Sequence, residues 1–181
     1  MAKNILITGG AASGKSRWAV THFAPCDYVL YLCSGNSVDA DTMQRIKYSN
    51  EKHCVEWDIK TEASENPVQH FTDHKFVIFD SLSSYTSGII KEMCSDTDNM
   101  SEETRKEIEK RVISDVTDMM DCIEEKQGSM IIITLETGFS VTPENRSQAM
   151  FREILGNVNQ RIANTCDEVY FSASGIQFKI K

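Results

Sequence analysis

Two periodicities alternate along this chain. Residues 3–8 (KNILIT), 27–33 (DYVLYLC), 75–79 (KFVIF) and 130–135 (MIIITL) are continuous apolar runs too short for helices. Such runs predict strands buried on both sides, as in a parallel sheet. Residues 54–59 (CVEWDI) alternate and predict a further strand. Between the runs, apolar side chains recur every third or fourth position. Trp18, Ala19 and Phe23 predict a helix over 15–23, closed by Pro25, and Met43 and Ile46 predict the inward positions of a polar helix over 39–52. A weak helix is expected over 65–73 around Val68 and Phe71, and a less polar one over 82–93. The longest runs from residue 101 to about 127. It carries Ile108, Val112, Val116, Met119, Met120 and Ile123 on one face. Ser101 is placed to cap it, with Glu102 and Glu103 in the first turn where the helix dipole favours acid. A second long helix is expected over 144–165. Residues 168–172 and 176–180 then form two strands around Ser174-Gly175, an antiparallel hairpin at the sheet edge. The expected fold is α/β, a mostly parallel sheet with helices on both faces, in one domain over residues 1–181.

The first strand leads into Gly9-Gly10-Ala11-Ala12-Ser13-Gly14-Lys15-Ser16, a G-x-x-x-x-G-K-S phosphate-binding loop between a strand and a helix. Glycines let successive N–H groups turn into one concavity that holds phosphate oxygens, and the following helix aims its N-terminus at the same anion. In such a loop Lys15 reaches the β- and γ-phosphates and the Ser16 hydroxyl joins a Mg²⁺ shell. The pattern predicts a nucleoside triphosphate site.

Other candidates follow from the rule that ligands bind at the carboxyl ends of the strands. Those ends carry Cys33-Ser34-Gly35, Asp80-Ser81 and Glu136-Thr137-Gly138. Asp80 either holds a carboxylate against Mg²⁺ or caps the helix that starts at Leu82. Glu136 is a base, a substrate ligand or a loop carboxylate with no role. No Ser/His/Asp or Cys/His nucleophile pattern is visible.

The net charge of −8 argues against a general nucleic-acid binder, which needs a basic face. No apolar run approaches the ~20 residues of a membrane span. The six cysteines are scattered without a C-x-x-C, and the four histidines form no ligand motif. With a strand and phosphate loop where a secretory leader would lie, the cysteines read as free thiols and a cytoplasmic protein is expected.

The run Thr142-Pro143-Glu144-Asn145-Arg146, then Phe151-Arg152, Gly156-x-Val158-Asn159-Gln160-Arg161, Asp167-Glu168-Val169, and Ser174-Gly175-Ile176 ending in Lys179-Ile180-Lys181, closely resembles the adenosylcobinamide kinase / adenosylcobinamide-phosphate guanylyltransferase family. Residues 8–16 resemble that family's phosphate loop, so the likeness runs the whole chain in order. The resemblance implies a RecA-like P-loop fold, a role in cobalamin assembly, a homotrimer, and two activities. Family members phosphorylate the aminopropanol hydroxyl of adenosylcobinamide with ATP or GTP. They then transfer GMP from GTP to that phosphate through a guanylyl-histidine on the helix after the second strand. On this basis the nucleotide set comprises Gly9 to Ser16, Ser34, Glu62 and Asp80, with Mg²⁺ on Ser16 and Asp80. Lys15, Asp80 and His53 are the catalytic candidates, and the kinase base lies among Asp80, Glu136 and Glu62.

This chain departs from the family pattern R-I-x-x-H-x-x-x-R-x-x-x-W. Arg45-Ile46 and Trp57 fit it without a gap, which puts Ser49 at the histidine and His53 at the second arginine. A serine hydroxyl needs a base and gives a stabler ester than the phosphoramidate of imidazole, so Ser49 is a poor replacement. His53 lies one helical turn on, as either a substitute nucleophile or a solvent-facing helix end. After Asp80 the family reads D-C-L-T and then an asparagine; here stand Ser81, Leu82, Ser83 and, at the asparagine, Gly88. The phosphotransfer set is complete and the guanylyl-transfer set is not. Two alternatives remain: a nucleotide-binding switch descended from the family, and a P-loop kinase for another small hydroxylated substrate.

Overall fold

The computed structural model describes residues 3–61, 67–71, 73–139, 143 and 145–181. The strands are β1 (Lys3–Gly9), β2 (Val29–Cys33), β3 (Asp58–Lys60), β4 (Phe76–Asp80), β5 (Ser129–Ile133), β6 (Glu168–Ala173) and β7 (Ile176–Lys179). They form one seven-stranded sheet in the order β3-β2-β4-β5-β1-β6-β7. All pairs are parallel except β6–β7, the terminal hairpin. The helices are α1 (Lys15–Phe23), α2 (Ala40–His53), α3 (Leu82–Met93), α4 (Glu102–Glu125) and α5 (Arg146–Thr165).

The continuous apolar runs are needed because both faces of the sheet are covered. Ile5 and Ile7 of β1 pack with Ala19, Val20 and Phe23 of α1 and Ile46 of α2. Leu6, between them, points the other way and joins α3, α4 and α5 through Tyr85, Val112, Val116 and Val158. Each side chain so buried contributes roughly 1.5–3 kcal/mol. The buried residues of α4 are the six that its sequence period singles out. Ser101 caps α4 by accepting from Thr104 N at 3.0 Å, and Asp39 caps α2 from Thr42 N at 2.9 Å.

Three expectations need correction. Met43 is 41% exposed, because α2 turns Thr42, Ile46 and Ser49 inward and leaves Met43 one step round the helix. Residues 54–57 are not strand: α2 runs to His53, the chain reverses at Cys54 with φ 55, and β3 is only Asp58–Lys60. Trp57 is used for burial instead, its indole N–H donating to Cys26 O at 3.0 Å. In place of the weak helix over 65–73 the described residues hold a short 3-10 turn, Pro67–His70. Among the described residues no helix is long and apolar enough to cross a membrane.

The hairpin edge is pinned by charge. Glu168 accepts from Lys3 Nζ, from Lys179 Nζ at 3.0 Å and from Tyr170 OH at 2.8 Å, which ties β1, β6 and β7 together. The Lys3 ammonium, then the Tyr170 and Lys179 hydrogen bonds, hold its carboxyl down at about 2, against an ordinary 4.5. A carboxyl depressed by folding stabilises the native state above its unfolded pKa and loses that contribution as pH falls through the folded value. We therefore expect a component of acid destabilisation between pH 4.5 and about 2 that Glu168→Gln removes. Denaturant titrations across that window measure it.

Candidate active site

The phosphate loop leaves β1 and is packed against the hairpin. A Cβ on Gly9 would overlap the carbonyl oxygen of Ser172, so only glycine fits there. Gly14, with φ 97, starts α1 in the left-handed region and lies against Gly175. The hairpin turn has Ser174 at φ 51 and Gly175 at φ 81, the two-residue turn that antiparallel strands favour. Gly175 N and Ser172 Oγ both donate to Ser13 O, at 3.0 and 2.8 Å. The loop is therefore held in shape by the chain's last strands.

Lys15 is 7% exposed and its ammonium donates to Gly9 O at 2.9 Å and Gly10 O at 2.6 Å. Burial pulls its pKa down, and the nearby Asp80 carboxylate opposes that shift. Ser16 Oγ donates to Asp80 Oδ2 at 2.9 Å, although 64 residues separate them. Asp80 ends β4, which lies two strands from β1 with β5 between. The N-cap of α3 is Ser81, whose hydroxyl accepts from Ser84 N. Asp80 is thus free of the capping role and faces Ser16. Two oxygen ligands this close suit a hard divalent cation such as Mg²⁺.

Tyr31, which the sequence reading passed over, completes this cluster. It is fully buried in β2 and its hydroxyl donates to Asp80 Oδ2. Burial and then the Asp80 charge push its phenol far above the usual range, so it stays a donor. A signal was present: a phenol in an all-apolar strand needs a partner. Tyr31→Phe is expected to cost about 1–2 kcal/mol of stability and roughly tenfold in metal-dependent turnover. Turnover against Mg²⁺ concentration measures the second effect.

Ser34 braces the same junction. Its N–H donates to Asp80 O at 2.8 Å, and its hydroxyl donates to Ser81 O at 2.6 Å and accepts from Ser81 N. Glu136 follows β5, and its N–H donates to Gly9 O at 3.1 Å, so its backbone adjoins the phosphate loop. The Glu136 carboxylate accepts from Gly138 N at 2.9 Å. Glu62 lies outside the described residues, as do positions 142 and 144 of the C-terminal motif.

A cleft of about 250 Å³ opens between α1 and α2, lined by Arg17, Arg45, Tyr48, Ser49, Lys52 and His53. Ser49 is buried and its hydroxyl meets no partner among the described residues. The helix persists through His53, which is exposed and lines the same cleft one turn along. Among the described residues no group of three His, Cys, Asp or Glu side chains could hold a metal ion, and all six cysteines are free.

Residues 5–180 match the protein family described as cobinamide kinase / cobinamide phosphate guanyltransferase. The chain is 27% identical over 186 residues to the bifunctional adenosylcobalamin biosynthesis protein CobU of Escherichia coli (strain K12), covering 98% of this chain and 99% of that protein. The protein of the same name from Salmonella typhimurium is 26% identical over 180 residues, with the same coverage. The corresponding CobP of Pseudomonas aeruginosa is 23% identical over 184 residues. Among solved structures, a KaiC-like protein from Pyrococcus horikoshii OT3 superposes with a TM-score of 0.51 at 16% identity, over 93% of this chain and 70% of that one. An ATP synthase subunit from Nanoarchaeum equitans gives 0.54 at 12% identity, over 94% of this chain and 46% of its own. At those identities the likeness is one of fold, the RecA-like sheet.

Proposed function

Because this chain belongs to the cobinamide kinase / cobinamide phosphate guanyltransferase family, a family of nucleotide-dependent transferases, we propose that it phosphorylates the hydroxyl arm of (adenosyl)cobinamide with ATP or GTP. The observation that carries this reading is the joining of Lys15, Ser16 and Asp80 across three strands. The loop amides and Lys15 hold the triphosphate and neutralise charge on the transferred group. Ser16 and Asp80 are the residues that would hold Mg²⁺, which would supply positive charge against the developing charge of the phosphoryl group. The acceptor oxygen attacks the γ-phosphorus, the bond to the β–γ bridging oxygen breaks, and the nucleoside diphosphate leaves with that electron pair. We assign the hydroxyl proton to Glu136, because Asp80 is already committed to Ser16 and Tyr31. Gly9 to Ser16 form the nucleotide site, braced by Ser34 through Ser81. The proposal places this chemistry in a cytoplasmic homotrimer, as the family resemblance implies. ADP release that depends on added cobinamide supports it; release that ignores cobinamide contradicts it.

Guanylyl transfer, the family's second activity, is assigned a minor place. Ser49 stands at the nucleophile's position, and among the described residues the one imidazole lining that cleft is His53. We assign any covalent GMP on this chain to His53. Incubation with labelled GTP followed by acid-stable and acid-labile counting tests this. His53→Ala is expected to remove all acid-labile label; label retained by the variant contradicts the assignment.

A further inference from the structure

An apolar opening beside the phosphate loop lies on the opposite face of the sheet from α1 and has had no role so far. It is a cleft of about 670 Å³ between α5 and the exposed end of the sheet. Its floor is Leu6, Thr8 and Val169, successive inward positions of β1 and β6, and its inner wall is the Gly156 side of α5. Glu136 lines the cleft, and the Glu136 N–H donates to Gly9 O, so the opening adjoins the phosphate loop.

Three observations describe what would fill it. Thr8 is 8% exposed and its hydroxyl meets no partner among the described residues, although it borders the cleft. A buried hydroxyl without a partner costs about 1–3 kcal/mol, which a ligand amide or carbonyl would recover. Gly156 lies in the middle of α5, and a Cβ built there would meet nothing within 4 Å. Glycine is a poor helix residue, so its use where the helix itself does not need it leaves room for something else. The charges at the rim are Glu136 and Glu153 against Arg152, whose guanidinium donates to Gly138 O at 2.8 Å. Glu153 is itself paired with Arg105, so the balance gives phosphate no net attraction and suits a neutral group.

We propose that this cleft is the acceptor subsite, taking the bulky, amide-bearing body of the acceptor so that its hydroxyl arm reaches the γ-phosphate. Thr8 hydrogen-bonds an acceptor amide, and Gly156 sets the size of molecule admitted. The inference rests on the kinase reading above and adds the place and the residues that select the acceptor.

The test is equilibrium dialysis of cobinamide, read by its corrinoid absorbance, against wild-type protein, Gly156→Ala, Gly156→Leu and Thr8→Val, with ATP affinity measured in parallel. Gly156→Leu is expected to weaken cobinamide binding by about tenfold or more while ATP affinity and thermal stability hold. Thr8→Val, which keeps the shape and loses the hydroxyl, should weaken it by roughly threefold to tenfold. Gly156→Ala, a smaller filling that favours the helix, should fall between wild type and leucine. If wild type binds cobinamide and all three variants bind it equally, the subsite is elsewhere and the kinase reading stands. If wild type neither binds nor phosphorylates cobinamide, the kinase reading and the subsite fall together.

Discussion

Lys15→Ala is expected to reduce phosphotransfer by about 10³-fold or more and to leave the protein folded. The two halves of that result have separate causes. In the transition state three equatorial oxygens carry spread negative charge, and a fixed ammonium in a dry site stabilises it far more than the ground state. No neighbouring cation of the described loop can substitute, since Arg17 is exposed and lines the α1–α2 cleft instead. Stability behaves differently because burial already disfavours the charged form of Lys15 and lowers its pKa. Removing it relieves that penalty and surrenders hydrogen bonds to the Gly9 and Gly10 carbonyls, so Tm should be unchanged or raised. Steady-state turnover paired with a thermal melt checks both. A large drop in Tm would mean that Lys15 acts as a structural strut.

The second large effect is expected at Asp80. Asp80→Asn preserves volume and one accepting oxygen, so Ser16 or Tyr31 keeps a partner. It removes the charge that, on the proposed reading, would hold Mg²⁺. Turnover should fall by roughly 10²–10³-fold, with partial recovery at high Mg²⁺. Nucleotide affinity without metal should change little, because the loop amides and Lys15 are untouched. An undiminished rate would place the metal on other ligands.

Much of this was legible in the chain because it is local. The phosphate loop is one uninterrupted motif, and the fold class follows from short apolar runs that need two covered faces. The heptad-like face of α4 could be read residue by residue. What escaped the reading depends on contacts between distant segments. Tyr31 meets Asp80 across 49 positions, and nothing in VLYLC says which carboxylate its phenol will find. The packing of Gly9 on Ser172 and of Gly14 on Gly175 likewise joins the two ends of the chain. Met43 failed for a different reason. In a helix as polar as α2, one apolar residue beside Ile46 does not fix the inward direction, and Thr42 and Ser49 took the buried side. The roles of Ser34 and Ser81 as mutual braces at the Asp80 junction required both strand ends to be seen together.

The most direct measurement is one incubation of the purified protein with cobinamide, Mg²⁺ and GTP, or ATP in its place, followed by mass spectrometry of the corrinoid. Cobinamide phosphate is expected as the main product, with guanylylated corrinoid scarce and abolished in His53→Ala. Unreacted cobinamide with both nucleotides would contradict the kinase reading, and would leave a nucleotide-binding protein whose acceptor is something else.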